Sequence, residues 1–167
     1  MHSTPRQQKI FSQRREPFNA LKVMLMEGTS KKINSNIPEI LKKYKTIAVV
    51  GISDKPERDS YRVAQFMLSR GYTVYPINPA VKEVLGLPAY PSLTALPHLV
   101  ELVDIFRKSE YVLPIVEEAI QKGARAIWMQ IGVINSTATQ KALDAGLEVV
   151  MDRCWKVEYL NHFSINT

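Results

Sequence analysis

The stretch Val50–Gln65, VGISDKPERDSYRVAQ, follows the apolar run Thr46-Ile47-Ala48-Val49. An unbroken apolar run that reaches a glycine and opens through a polar loop into a helical pattern reads as strand, turn and helix. That is the usual approach to a bound phosphate. A dinucleotide fingerprint needs Gly-x-Gly-x-x-Gly, and here Ser53 and Pro56 stand where the second and third glycines belong. A Walker loop needs a second glycine followed by Lys and Ser or Thr, which is missing too. The loop offers instead Lys55 and Arg58 as cations, and the free N–H groups of a helix for which Ser60 is the expected N-cap. This equipment suits an anion, and it suits equally a capped helix beside a solvated loop.

The alternation of strand and helix continues outward. Upstream, Asn36-Ile37-Pro38-Glu39 offers an N-cap, a first-turn proline and a glutamate placed to close a capping box, which predicts a helix to about Lys43. Downstream, the apolar runs Tyr72–Ile77, Val100–Phe106, Ala126–Ile131 and Leu147–Met151 are continuous rather than alternating, as in strands buried on both faces. Between them, Ser60–Arg70, Ser109–Lys122 and Ser136–Ala145 have helical period and stop at Gly71, Gly123 and Gly146. Pro114 sits early in the second of these, where a missing N–H costs least, so that helix starts in effect near Leu113. A last helix is expected over Arg153–Phe163. The pattern predicts an α/β fold, a doubly wound parallel sheet of about five strands with helices on both faces. Ligands of such sheets lie outside the carboxyl ends of the strands. That nominates the loop after Val50 and the loops Asn78–Lys82, Arg107–Ser109 and Gly132–Asn135.

The chain of 167 residues is the size of one domain, with 23% charged and 46% hydrophobic residues. No apolar run approaches the roughly 20 residues of a membrane helix, so a soluble protein with no membrane partner is expected. The net charge of +6 is unevenly spread. Residues 1–45 carry ten Lys and Arg against three Glu, while the rest carries 12 basic and 13 acidic residues. The excess belongs to the N-terminal part, and the body has little electrostatic support for binding nucleic acid. The chain therefore divides into a basic extension, residues 1–35, with a short helical segment at Phe18–Met26, and a body, residues 36–167. The lone Cys154 and the lack of an apolar signal peptide favour a reducing interior, the cytoplasm. An organelle matrix is the alternative if the basic extension is a transit peptide.

Other chemistries find less support. His98 and His162 have no ligand partners at zinc spacing and His2 lies in the extension, so no metal site is expected. Asp104 near a strand end resembles the phosphoacceptor of a receiver domain, but the acidic pair that should follow the first strand is missing from Ala48-Val49-Val50-Gly51. Cys154, heading the last helix, is read as a small buried hydrophobe rather than a reactive thiol.

Six blocks in order carry a resemblance: Val50-Gly51-Ile52-Ser53, Ser60-Tyr61, Gly71–Pro79, Asp104–Ser109, Trp128–Val133 and Val150–Cys154. From about Tyr44 to Asn161 the chain resembles the small stand-alone CoA-binding domain proteins. These share a Rossmann-like fold with the N-terminal, CoA-binding domain of the succinyl-CoA synthetase alpha subunit. The resemblance implies that Gly51, Ile52 and Ser53 lie against the ligand, with Lys55, Arg58, Ser60 and Arg62 toward phosphate. It implies that Asn78 and Lys82 address the adenosine end, that Phe106, Arg107 and Lys108 line the pocket beside the first strand, and that Gln130 and Gly132 close the side toward the pantetheine. CoA carries a pyrophosphate and a 3′-phosphate, so several cations at one mouth are needed.

No Ser-His-Asp or Cys-His arrangement and no evident acid–base pair is present, so catalytic residues are not assigned. The expected function is binding of CoA or an acyl-CoA without catalysis. The alternative is an NAD(P)-binding Rossmann oxidoreductase or redox regulator with an atypical loop, with Cys154 taking part. The missing glycines and Asn78, standing where a ribose-binding acid belongs, count against it. A third reading is an interaction protein with a vestigial pocket, whose basic extension binds an acidic partner. Homo-oligomer formation is left open.

Overall fold

The computed structural model describes residues 32–163 together with Val23, Met24 and Gly28. Apart from Val23 and Met24, the helix expected over Phe18–Met26 lies outside the described residues. In chain order the elements are α1 (Ile37–Lys43), β1 (Thr46–Val50), α2 (Asp59–Ser69), β2 (Thr73–Ile77), β3 (Glu83–Val84), β4 (Leu87–Pro88) and β5 (Leu102–Ile105). A 3-10 turn, Ser109–Tyr111, leads into α3 (Val112–Lys122), followed by β6 (Ala126–Met129), α4 (Ser136–Asp144), β7 (Glu148–Val150) and α5 (Trp155–Phe163). Five strands form one sheet in the order β2-β1-β5-β6-β7, with every pair parallel. The fold is a doubly wound, Rossmann-like α/β sheet.

The apolar runs lack alternation because both faces are covered. Ile47 and Val49 of β1 enter one core with Ile40 and Leu41 of α1, Val63 and Met67 of α2, and Trp155 of α5. Ala48 and Val50 enter the other with Val112, Val116 and Ala119 of α3 and Ala138 and Ala142 of α4. A β-strand sends successive side chains to opposite faces, so each central strand needs apolar residues at every position. Pro114 is the third residue of α3, still in the turn whose N–H groups have no partner within the helix. Gly123 ends that helix in the left-handed conformation, φ 82.

Two details differ from the sequence reading. Asn36 stands at the N-cap of α1 but makes no side-chain cap bond. Its Nδ2 donates instead to Glu148 Oε1 at 3.1 Å, and the Tyr44 hydroxyl donates to Glu148 Oε2 at 2.6 Å. Glu148 thus orients the amide through its NH2, and Oδ1, the acceptor an N-cap would use, makes no cap bond. Burial first, and then this bond, hold the Tyr44 hydroxyl above its ordinary pKa, so it remains the donor. The second difference is the hairpin of β3 and β4, turned by Leu85 (φ 57) and Gly86 (φ 75). Two-residue strands are too short to leave a period in the sequence.

Both edges of the sheet are partly covered. Beside β2, Tyr90 N donates to Pro76 O and Asn78 N to Tyr90 O, each at 2.9 Å. Beside β7, Asn34 (φ 58) donates from its backbone N to Val149 O at 3.1 Å. Its side chain extends that ladder, accepting from Met151 N at 2.7 Å and donating to Met151 O at 3.0 Å. Asn34→Ala is expected to cost about 1–2 kcal/mol in urea denaturation, because it strips two partly buried partners. Asn34→Gly relieves the positive φ but loses the same bonds; wild-type stability in that variant would show that the bonds contribute nothing.

Candidate functional site

The order of the strands reverses between β1 and β5, so the chains leaving their carboxyl ends part and open a crevice. Three clefts meet there. One, of about 410 Å³, lies against the loop after β1 and the start of α2, lined by Gly51, Ser53, Lys55, Arg58, Ser60 and Phe106 among others. A second, of about 400 Å³, spreads over the ends of β5 and β6, with Arg62, Arg107, Gln130, Ile131, Cys154 and Lys156 on its walls. A third, of about 280 Å³, opens on the opposite side beside Asn78, Leu93 and Tyr111. Phe106 belongs to the first and second, Gly51 to the first and third, and Arg107 to the second and third. These three residues form the saddle where the clefts join.

The saddle is close-packed for a local reason. Gly51 has φ 83, and a Cβ there would lie 2.7 Å from Phe106 O and 2.9 Å from Arg107 Cδ. The single glycine of the motif is thus required twice, by the turn and by the Arg107 stem lying across it. The Arg107 guanidinium sits 5.0 Å over the Tyr111 ring, which holds an exposed cation at the crevice.

The loop from Gly51 to Arg58 is braced by side chains rather than by glycines. Ser53 N donates to Ser60 Oγ at 2.9 Å, and Lys55 N to Ser53 Oγ at 3.1 Å. From the far side Asn78 Nδ2 donates to Ile52 O at 2.7 Å, while Ala80 N donates to Asn78 Oδ1 at 2.8 Å. Ser60 is therefore not the N-cap expected from sequence. α2 begins one residue earlier, Arg58 occupies the cap in extended backbone without a side-chain cap bond, and Ser60 is buried in the first turn. Its hydroxyl is taken by the loop, so among the described residues no side chain caps the N–H groups at the start of α2.

Lys55, Arg58, Arg62 and Arg107 are exposed around the clefts and Lys156 is half-buried among them. Against these, among the described residues, stand two acids on the cleft walls, Asp59, which lines the first two clefts, and Glu118, which lines the third. Beneath the second cleft lies a buried polar pair. Gln130 is 4% exposed and donates from Nε2 to Asp104 Oδ1 at 2.8 Å, and Asp104, in the middle of β5, is fully buried with Oδ2 unpartnered. Burial raises the Asp104 carboxyl to about 8, against smaller lowering contributions from Gln130 and the Ile105 backbone, so it is uncharged at neutral pH.

Some expected residues stand apart from the clefts. The Ile52 side chain is wholly in the core and offers the crevice only backbone. Lys82 and Lys108 are exposed beyond the described cleft walls, and Gly132 (φ 80) is exposed with its N–H given to Asp152 Oδ1 at 2.7 Å. Cys154, read as buried, is half-exposed and lines the second cleft. Its place, with that of Lys156, was missed because nothing local in the sequence folds the start of α5 over β6, whereas Asp59 belongs to the loop already nominated and was passed over as an acid. Among the described residues no cluster of three or more His, Cys, Asp or Glu is placed to hold a metal, and no helix is long and apolar enough to cross a membrane.

A parallel doubly wound sheet with a crevice at its reversal point places the chain among the Rossmann-like α/β proteins. Within that class, residues 45–160 match the model of the CoA binding domain, and the chain belongs to this family. It is 39% identical over 134 residues to the uncharacterized protein YneT of Bacillus subtilis (strain 168), covering 80% of this chain and 97% of that one. A hypothetical protein from Pyrococcus horikoshii OT3 has the same fold, with TM-score 0.73 and 46% identity over 75% of this chain and 88% of that one. The chain is also 33% identical over 78 residues to acetate–CoA ligase [ADP-forming] I of Archaeoglobus fulgidus, which is 47% of this chain but 11% of the ligase.

Proposed function

We propose that the crevice binds CoA or an acyl-CoA, and that the chain carries out no chemistry of its own. The observation that carries this reading is the meeting of three clefts at Gly51, Phe106 and Arg107, ringed by cations, in a member of the CoA-binding domain family. Phosphates would sit by Lys55, Arg58 and the uncapped start of α2, where charge and free N–H groups coincide. Adenosine would occupy the third cleft, with Asn78 acting from behind as the brace of the loop. The pantetheine arm would run past Phe106 over Gln130, Ile131 and Val133, a mixed apolar wall suited to a chain of methylenes and amides. Lys82, Lys108 and Gly132 are left for the ligand's outer ends. Ligase activity is not proposed: the chain matches only a small part of the ligases it resembles, and no histidine lines the three clefts.

A thermal-shift panel of CoA, acetyl-CoA, NAD, NADP and ATP tests this. CoA at a hundred times its dissociation constant is expected to add about 2.7 kcal/mol of stability. Stabilisation by NAD or NADP with none by CoA would reject the reading. Arg58→Ala and Arg107→Ala are each expected to weaken CoA at least tenfold, the loss of one charge-assisted contact. The side chain that meets the 3′-phosphate is the one whose removal weakens CoA more than dephospho-CoA.

A further inference from the structure

The second cleft has a polar floor built from two buried side chains. Asp104 is held in the middle of β5 between β1 and β6, and among the described residues its only side-chain partner is Gln130, from whose Nε2 it accepts at 2.8 Å. Gln130 lines the cleft, and among the described residues no donor meets its Oε1. An amide presents an acceptor on one side and donors on the other. When the NH2 is committed to a buried carboxyl, the carbonyl oxygen is the side left to a ligand.

We propose that Asp104 is a positioning residue that sets the polarity of the cleft floor, holding Gln130 so that its Oε1 accepts a hydrogen bond from an N–H or S–H donor on the thiol-bearing arm of the ligand. This rests on the reading of the crevice as a CoA site and adds to it a source of selectivity. The amide N–H groups and thiol of pantetheine are donors that the nucleotide part of CoA does not bring to this cleft. A ligand ending in a carboxylate or phosphate would instead meet an acceptor with no proton to share, and would be disfavoured. The buried carboxyl is thereby given a function: an apolar residue at position 104 would pack the core but leave Gln130 free to turn over.

The test compares CoA with adenosine 3′-phosphate 5′-diphosphate, which lacks the pantetheine, by calorimetry on the full chain. The quantity read is the ratio of the two affinities. Asp104→Leu packs the core but removes the acceptor of Gln130 Nε2, leaving the Gln130 amide free to turn over and present its NH2 to the ligand. The ratio is expected to fall about fivefold to tenfold, the worth of one hydrogen bond. Gln130→Met, at the cleft surface, is expected to lower it similarly, and the double variant no further, since both act through one oxygen. A ratio unchanged in Asp104→Leu, equal losses for both ligands, or additive losses in the double variant would overturn the proposal. If wild type binds the nucleotide fragment but gains nothing from the pantetheine, this proposal falls alone; if it binds neither, the CoA reading itself falls.

Discussion

Gly51→Ala is expected to lose about 2–4 kcal/mol of stability and, like the two arginine substitutions, at least tenfold in CoA affinity. A methyl group at this position meets the Phe106 carbonyl oxygen at 2.7 Å, and backbone at that distance cannot yield as a flexible side chain can. The φ of 83 adds strain for any L-residue. Relief requires β1 and β5 to part at their carboxyl ends, where Phe106 N donates to Val50 O at 2.8 Å, and parting them distorts the saddle on which the ligand rests. Gly71→Ala is the control. Its φ is 85 but nothing lies within 4 Å of the added Cβ, so it should cost only the conformational share, about 1 kcal/mol, and leave CoA binding intact. Urea denaturation and calorimetry on both variants decide the matter. Equal losses would mean that the close approach to Phe106 is relieved at no cost.

The second large effect is on the pH dependence of stability. The Asp104 carboxyl has an ordinary value of 3.8 and stands at about 8 in the folded chain. Below the ordinary value both states hold the proton and there is no penalty. As pH rises from about 4 to about 8 the folded state keeps a proton that the unfolded state has released, so stability falls through that window and levels off above it. Each unit of difference is worth about 1.4 kcal/mol, so the total is on the order of several kcal/mol. Asp104→Asn removes this contribution. Relative to wild type it should gain stability steadily between pH 4 and pH 8, as measured by urea midpoints at several pH values. Taking the difference between the two proteins cancels every other titrating group. A constant difference across the window would mean that Asp104 is ionised in the core, with a partner other than Gln130.

Much of this architecture was legible in the residues. Continuous runs such as Ile47–Val50 and Ala126–Met129 announce strands covered on both sides, and Gly71, Gly123 and Gly146 mark the ends of the intervening helices within a residue or two. The parallel order follows from the alternation alone, because each crossover must bridge from one end of the sheet to the other. Side chains whose partners are distant in sequence were not legible. Asn36 and Ser60 both look like caps because a cap is a local pattern. Glu148 and the Ser53 backbone claimed them instead, from 112 and seven residues away.

The sequence by itself determined the strand-loop-helix unit at Gly51, the parallel sheet and the cationic loop, since these depend on period, chain reversal and residue type within a few positions. Only the tertiary structure decided that Gly51, Phe106 and Arg107 form one saddle, that Cys154 and Lys156 wall the same cleft as Arg62, and that Asp104 is buried against Gln130. The physical reason is that burial and hydrogen bonding are set by whichever group arrives from another strand or helix. That arrival is fixed by how the sheet is wound, and no single segment encodes it.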